Sequence, residues 1–194
     1  MRIKIKAASL LLALFSPCLL LFAQEPPAAS AQFENLELGF RYVPPGGMRD
    51  LTIPERQAIQ KKAAERGSTN TLTLLLALRS GPDDTAADWH TVGIETYPRG
   101  KFGNLSDHDA SQIFSRRVMG IDRETGQPSD VNLGGFDFVV STFELREGQL
   151  TKHARVYTTV RNGKLLALAF SANSSDVLNH IVGSMASFGP FGKK

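Results

Sequence analysis

Residues Leu165 to Phe170 read Leu-Leu-Ala-Leu-Ala-Phe, apolar at every position, and they follow directly on Asn162-Gly163-Lys164. Asn-Gly is the strongest two-residue hairpin signal, because both turn positions need positive φ. A short strand that is apolar on both faces needs cover on both sides. It therefore belongs near the centre of a sheet, with one packing layer above and another below. Ala167 and Ala169 share one face, where a covering element can approach closely.

The flanking segments build that sheet. Phe136 to Arg146, Lys152 to Arg161 and Lys164 to Ala172 read as three sequential strands. Ser175 to Ser187 reads as a helix, with Val177, Leu178, Ile181, Val182 and Met185 repeating at helical spacing and destined for the sheet. Upstream, Leu36 to Val43 reads as a first strand, and Pro54 to Arg66 as a helix stopped by Gly67. In Thr71 to Leu78, the alternation places Leu72, Leu74, Leu76 and Leu78 on one buried face. His90 to Tyr97 is a further strand. Ser106 to Met119 is a helix opened by a capping box, Ser106 with Asp109. Its expected apolar stripe is Ala110, Ile113, Phe114 and Val118. The expected class is α/β (α+β): a central, mostly antiparallel sheet with helices on both faces.

Asn162-Gly163-Lys164-Leu165, the apolar strand, and a helix ending Ser184-Met185-Ala186-Ser187-Phe188 resemble the C-terminal half of the PsbP/Mog1-like proteins. Gly39-Phe40-Arg41-Tyr42-Val43-Pro44 is similar to that family's first strand running into a proline. The resemblance spans most of residues 33–191 in element order. It implies an antiparallel sheet between helical layers. Its members include an extrinsic photosystem subunit, a binder of a small GTPase and exported bacterial proteins without assigned activity. It therefore implies a binding or assembly module rather than an enzyme. No family functional residue maps onto this sequence by motif, and fold alone supplies no function.

The chain begins like a secretory leader. Arg2, Lys4 and Lys6 precede an apolar run of about 16 residues, Ala7 to Phe22, and small residues follow. The run is shorter than the roughly 20 residues that span a bilayer, and Pro17 interrupts it. The expected cut follows Ala23, with Ala31 as the competing position. Residues 1–23 then form a signal peptide, 24–32 a linker and 33–191 one domain. Expected location is the periplasm or the extracellular space. Cys18, preceded by Pro17, is a poor lipid-anchor site and leaves with the leader. The remainder has no cysteine, hence no disulfide and no thiol chemistry.

Charge changes with the cut. The full chain has 22 basic and 19 acidic residues, net +3. The leader takes three basic residues with it, leaving 19 against 19. A neutral remainder gives no electrostatic case for nucleic acid or anionic lipid. Lys193 and Lys194 read as a solvated end.

Several chemistries lack their motifs. The sequence has no Gly-x-Ser-x-Gly elbow, no His-Glu-x-x-His and no Gly-x-Gly-x-x-Gly. Gly192-Lys193 lacks the rest of a phosphate loop. Asp107-His108-Asp109 offers metal-ligating atoms, but at a helix start acids serve the dipole, and that reading is preferred. Asp83, Asp84 and Asp88 lack EF-hand spacing and read as a solvated turn. Trp89, the single tryptophan, reads as packing at a strand edge. Asn104-Leu105-Ser106 and Asn173-Ser174-Ser175 match the glycosylation triplet, though a bacterial host would leave them bare. No cofactor or metal is expected.

Strand parity supplies the candidate site. A two-residue loop near Gly148 aligns Thr142 and Glu144 with His153, Arg155, Tyr157 and Thr159 on one face. Phe143 and Leu145 then share the other face with Ala154, Val156 and Val160. The candidate binding residues are Thr142, Glu144, His153, Arg155 and Tyr157, with Arg155 meeting an anion and Glu144 orienting His153. Cross-strand ion pairing on a solvated margin is the competing explanation. The expected function is an exported, non-enzymatic binding or assembly module, its partner an envelope protein or a small ligand. The alternative is an exported hydrolase around His153 and Glu144, with Ser141 or a nearby hydroxyl as nucleophile.

Overall fold

The computed structural model describes residues 32–67, 72–81, 84–120, 124–147 and 150–191. The leader expected over 1–23, most of the linker, Cys18, Asp83 and the terminal lysines lie outside the described residues.

The strands are β1 (Phe33–Asn35), β2 (Phe40–Tyr42), β3 (Arg49–Asp50), β4 (Thr73–Arg79), β5 (His90–Pro98), β6 (Ser129–Leu133), β7 (Phe136–Glu147), β8 (Leu150–Arg161), β9 (Lys164–Ala172) and β10 (Gly189–Pro190). The helices are α1 (Thr52–Glu65), α2 (Asp107–Met119) and α3 (Ser175–Val182), with 3₁₀ turns at Arg99–Phe102 and Gly183–Ser187. Seven strands form one sheet in the order β3-β4-β5-β9-β8-β7-β6. Its pairings are all antiparallel. β1, β2 and β10 form a small second sheet.

β9 occupies the middle of the large sheet, as its apolar sequence requires. Asn162 and Gly163 take φ of 49° and 73°, the left-handed geometry of a two-residue hairpin. Leu166, Leu168, Phe170 and Ala172 point to one face. There α3, its 3₁₀ extension and the small sheet close the larger core. Leu165 and Ala167 point to the other, under α2, with Phe114, Phe143 and Val156.

The two segments that carry the family resemblance meet in space. The Tyr42 hydroxyl lies 2.7 Å from Ser184 Oγ, and Val43 N–H donates to Ser187 Oγ at 2.9 Å. The Phe40 and Phe188 rings stack at 5.0 Å. Burial pushes the Tyr42 phenol up to about 12, with the Ser184 hydrogen bond pulling the other way.

Four expectations need correction. Leu36 to Val43 is not one strand. The Asn35 side chain accepts from Leu38 N–H at 2.9 Å, and Gly39 turns at φ 70°, so the chain reverses before β2. The leucines of β4 do not share a face either. Leu74 pairs with Glu95 and Leu76 with Ile94, so Leu75 is an extra residue, a β-bulge. Leu72 consequently packs with the α2 core, whereas Leu76 and Leu78 join the α3 core. Third, β6 went unpredicted. It forms a hairpin with β7 through Gly134 and Gly135, both at positive φ. Fourth, α2 buries Ser111 and Ser115 beside Ala110 and Phe114, and leaves Ile113 exposed. The two serines are tolerated because Ser115 Oγ donates to Ser141 Oγ at 3.0 Å and Ser111 sits beside a polar groove.

α1 buries little of itself. Its start finishes the edge of β4 where β3 runs out: Leu51 N–H donates to Ala77 O at 2.7 Å, and Ala77 N–H to Thr52 Oγ1 at 3.0 Å. Arg56 Nε then donates to Leu74 O at 2.6 Å. These bonds satisfy an edge that would otherwise invite another strand.

Candidate functional site

The five residues expected to form a binding surface do face one way. β7 and β8 pair Thr142 with Arg155 and Glu144 with His153. The set is nonetheless divided. Tyr157 is buried between Phe138 and Phe170, at ring distances of 6.1 and 6.0 Å, beneath the α3 layer. Arg155 donates to Asn179 Oδ1 of α3 at 3.2 Å. His153 Nδ1 stands 3.7 Å from Glu144 Oε1 at the margin. None of the five lines the cavities of about 680, 370 and 240 Å³ that open on this fold. Ser141 lies on the opposite face, buried, and bonded to Ser115, so it does not reach His153.

The acidic clusters are also taken up internally. Asp107 pairs with Arg99 at 2.6 Å, His108 with Asp130 at 3.2 Å, and Asp109 caps α2 with Ser106. Asp84 meets Lys152 at 3.6 Å. Among the described residues no group of three carboxylate, imidazole or thiol side chains converges on a metal position.

A different site emerges on the α2 side of the sheet, between α1 and α2. β4, β5 and β9 present three cross-strand rows there. The first is Leu74, Glu95 and Ala167; the second Ala77, Gly93 and Ala169; the third Arg79, Thr91 and Ser171. The middle row has almost no side-chain volume. A Cβ placed on Gly93 would meet nothing within 4 Å. The result is a trough of about 370 Å³, walled by Leu51, by Glu55 and Ile59 of α1, by Val118 and Met119 of α2, and by Trp89. Its size and mainly apolar walls suit a small-molecule site.

Among the described residues, three side-chain atoms in the trough have no hydrogen-bond partner. Glu95 Oε2 is shut off from water and has no hydrogen-bond partner. Burial pushes its carboxyl up to about 7, with no compensating charge or donor. Arg79 Nε and Trp89 Nε1, nearer the other end, are buried donors without acceptors. Unsatisfied buried groups of this kind cost about 1–3 kcal/mol each. Water, an ion or a ligand can satisfy such atoms, and Arg49 Nε, Arg116 Nε, Glu124 Oε1, Thr158 Oγ1 and Asn173 Oδ1 share the condition elsewhere; what sets the trough apart is that three of them line one open space. Trp89 itself is 9% exposed, with Lys152 Nζ 4.9 Å from its ring centre.

A second groove, of about 680 Å³, lies beside the N-terminal end of α2. Its polar lining is largely engaged internally, His108 Nδ1 lying 3.2 Å from Asp130 Oδ1 and Asn132 donating to Asp137 Oδ1 at 2.6 Å. The larger space is therefore the weaker candidate.

Sequence reasoning missed Glu95, Arg79 and Gly93. In Thr91-Val92-Gly93-Ile94-Glu95 the polar positions alternate as they do on any half-exposed strand. The one signal was Gly93 inside a strand, a residue that marks close approach of another group.

Solved structures share this architecture. The solution structure of cyanobacterial PsbP (CyanoP) from Synechocystis sp. PCC 6803 aligns over 82% of this chain and 91% of its own, at a TM-score of 0.50 and 13% identity. The chain carries a PsbP/Mog1-like fold. The Ran-binding protein Mog1p of Saccharomyces cerevisiae aligns over 85% of this chain and 96% of its own, at a TM-score of 0.48 and 11% identity. A Bacteroides thetaiotaomicron protein aligns over 84% of this chain, at a TM-score of 0.46 and 11% identity. The chain spans about half of that protein, 48% of its length. No protein-family model matches the sequence, and no curated protein is significantly similar to it. Likeness at these identities concerns the fold, and the trough stands on its own geometry.

Proposed function

We propose that this PsbP/Mog1-like chain is a non-enzymatic binding module that works outside the cytoplasm and takes a small ligand into the trough between α1 and α2. In this reading residues 1–23 are a removed signal peptide, 24–32 a linker and 33–191 the binding domain. The observation that carries it is the buried Glu95 Oε2, without a hydrogen-bond partner among the described residues, at one end of an open, small-residue trough. Among the described residues no hydroxyl or thiol is hydrogen-bonded to Glu95 Oε2, the arrangement covalent catalysis needs. Binding without turnover is the simpler use of such a site. No helix of the described residues is long and apolar enough to cross a membrane.

The test is a ligand-observed NMR screen of a fragment library against the wild type and Gly93→Leu. Hits lost in the variant, at unchanged thermal stability, support the reading. A screen in which no hit responds to the substitution refutes it. Export is tested separately, by expressing the full chain and weighing the product; a mature start at Gln24 is expected, and an uncleaved cytoplasmic product contradicts it.

A further inference from the structure

We propose that the trough holds a short extended peptide with free termini, its ammonium on Glu95 and its carboxylate on Arg79. The inference rests on the binding reading above and adds the class of ligand.

Charge placement comes first. Glu95 belongs to the first cross-strand row and Arg79 to the third, so the trough is acidic at one end and basic at the other. Among the described residues, Glu95 Oε2 and Arg79 Nε both lack hydrogen-bond partners. A ligand with a single charge would serve one end only. A zwitterion serves both, and Trp89 Nε1 adds a donor at the carboxylate end.

Length comes second. Glu95 and Thr91 are four residues apart on β5, about 13 Å at strand rise. An extended tripeptide covers about 10 Å, which leaves a contact distance to divide between its ends. Floor chemistry comes third. Ala77, Gly93 and Ala169 let a ligand backbone lie close against the sheet, while the Thr91 and Ser171 hydroxyls offer it hydrogen bonds. Ile59, Val118 and Met119 offer apolar walls to small side chains.

Affinity should depend on pH. The charged groups that line the trough with Glu95 are Glu55 of α1 and Arg79 of β4; Arg56 of α1 donates to the carbonyl of Leu74, the strand partner of Glu95, Arg117 of α2 sits 4.4 Å from the ring centre of Tyr97, two residues along β5, and β9 presents none in the trough. An ammonium ligand requires the ionised carboxylate. Affinity then falls by about tenfold per pH unit below the Glu95 midpoint, and it declines again above about pH 8, where the peptide's own ammonium loses its proton.

Calorimetric titration with Ala-Ala-Ala tests this, alongside its N-acetylated and C-amidated forms, at pH 8 and pH 6. Each cap should weaken binding by at least about tenfold, the loss expected for a charge-assisted contact. Glu95→Gln should erase the effect of acetylation and the pH dependence, Arg79→Gln the effect of amidation. Gly93→Leu should abolish binding with thermal stability retained. Equal binding of free and capped peptides overturns the assignment. So does absence of tripeptide binding; if fragments in the parallel screen still bind in a Gly93-sensitive way, the peptide is wrong and the trough stands. If no fragment does, both fall.

Discussion

The two faces of β9 make the instructive contrast. On one face Leu166, Leu168 and Phe170 meet a layer of aromatic rings, and Phe188 alone touches three: Phe40 at 5.0 Å, Phe136 at 4.9 Å and Phe138 at 5.2 Å. On the other face the side chains are small beyond Leu165, at Ala167, Ala169 and Ser171, and cover thins along the strand. Leu165 and Ala167 are buried under α2, whereas Ala169 and Ser171 look into the trough. One face is filled and holds the fold. The other is left partly unfilled, and a buried carboxyl sits at the margin of the gap. Packing volume, more than polarity, separates the stabilising face from the candidate binding face.

Substitutions on the two faces should therefore behave differently. The largest effect is expected on the filled face: Phe188→Ala should cost about 3–5 kcal/mol in urea denaturation, the range for deleting a buried ring. A loss below about 1 kcal/mol would mean that this face is not the main core.

Glu95→Gln comes next, and its sign depends on pH. The folded carboxyl titrates at about 7 against an ordinary 4.5. The folded state thus holds its proton more tightly than the unfolded chain. The stabilisation this gives is present in full below about 4.5 and is lost as pH rises through about 7. In the wild type, stability should fall over that window by an amount on the order of 3 kcal/mol. Glu95→Gln should remove that component and be the more stable protein at pH 8. An unaltered pH profile would dissociate Glu95 from the trough's energetics.

Gly134→Ala is smaller and local. A Cβ there would sit 2.5 Å from Phe188 O at φ 59°, so the β6–β7 turn must shift away from the filled face. A loss of about 1–3 kcal/mol in thermal unfolding is expected. The smallest effect sharpens the contrast most. Gly93→Ala, on the open face, adds a methyl group into empty space and should stabilise by about 0.5–1 kcal/mol. Destabilisation would mean that the trough is closed in solution.

Local chemistry made much of the fold legible. Asn162-Gly163 fixed one hairpin, and the parity of a two-residue connection set the β7–β8 register that pairs Glu144 with His153. Gly134-Gly135 carries the same kind of signal, with Val131 and Leu133 alternating before it. The bulge at Leu75 has no such mark. Four alternating leucines look like one face, and only pairing with β5 reveals the extra residue. The site was harder to see for a related reason. Glu95 is an ordinary strand glutamate until α1, α2 and the bulge close around it, and those are contacts between segments far apart in sequence. His153 and Arg155 stood out because their neighbours were polar too. Polarity on a strand also accompanies exposure, whereas the trough is marked by buried polar atoms without a partner among the described residues.

The carboxyl of Glu95 is the group on which these inferences converge, and its titration can be followed directly by carbon-detected NMR on the unliganded protein. A midpoint near 7, moving down when a cationic ligand enters, is the predicted result. A midpoint near 4.5 in the free protein would mean that water or an internal partner already satisfies the carboxylate, and the trough would lose its claim to be a site.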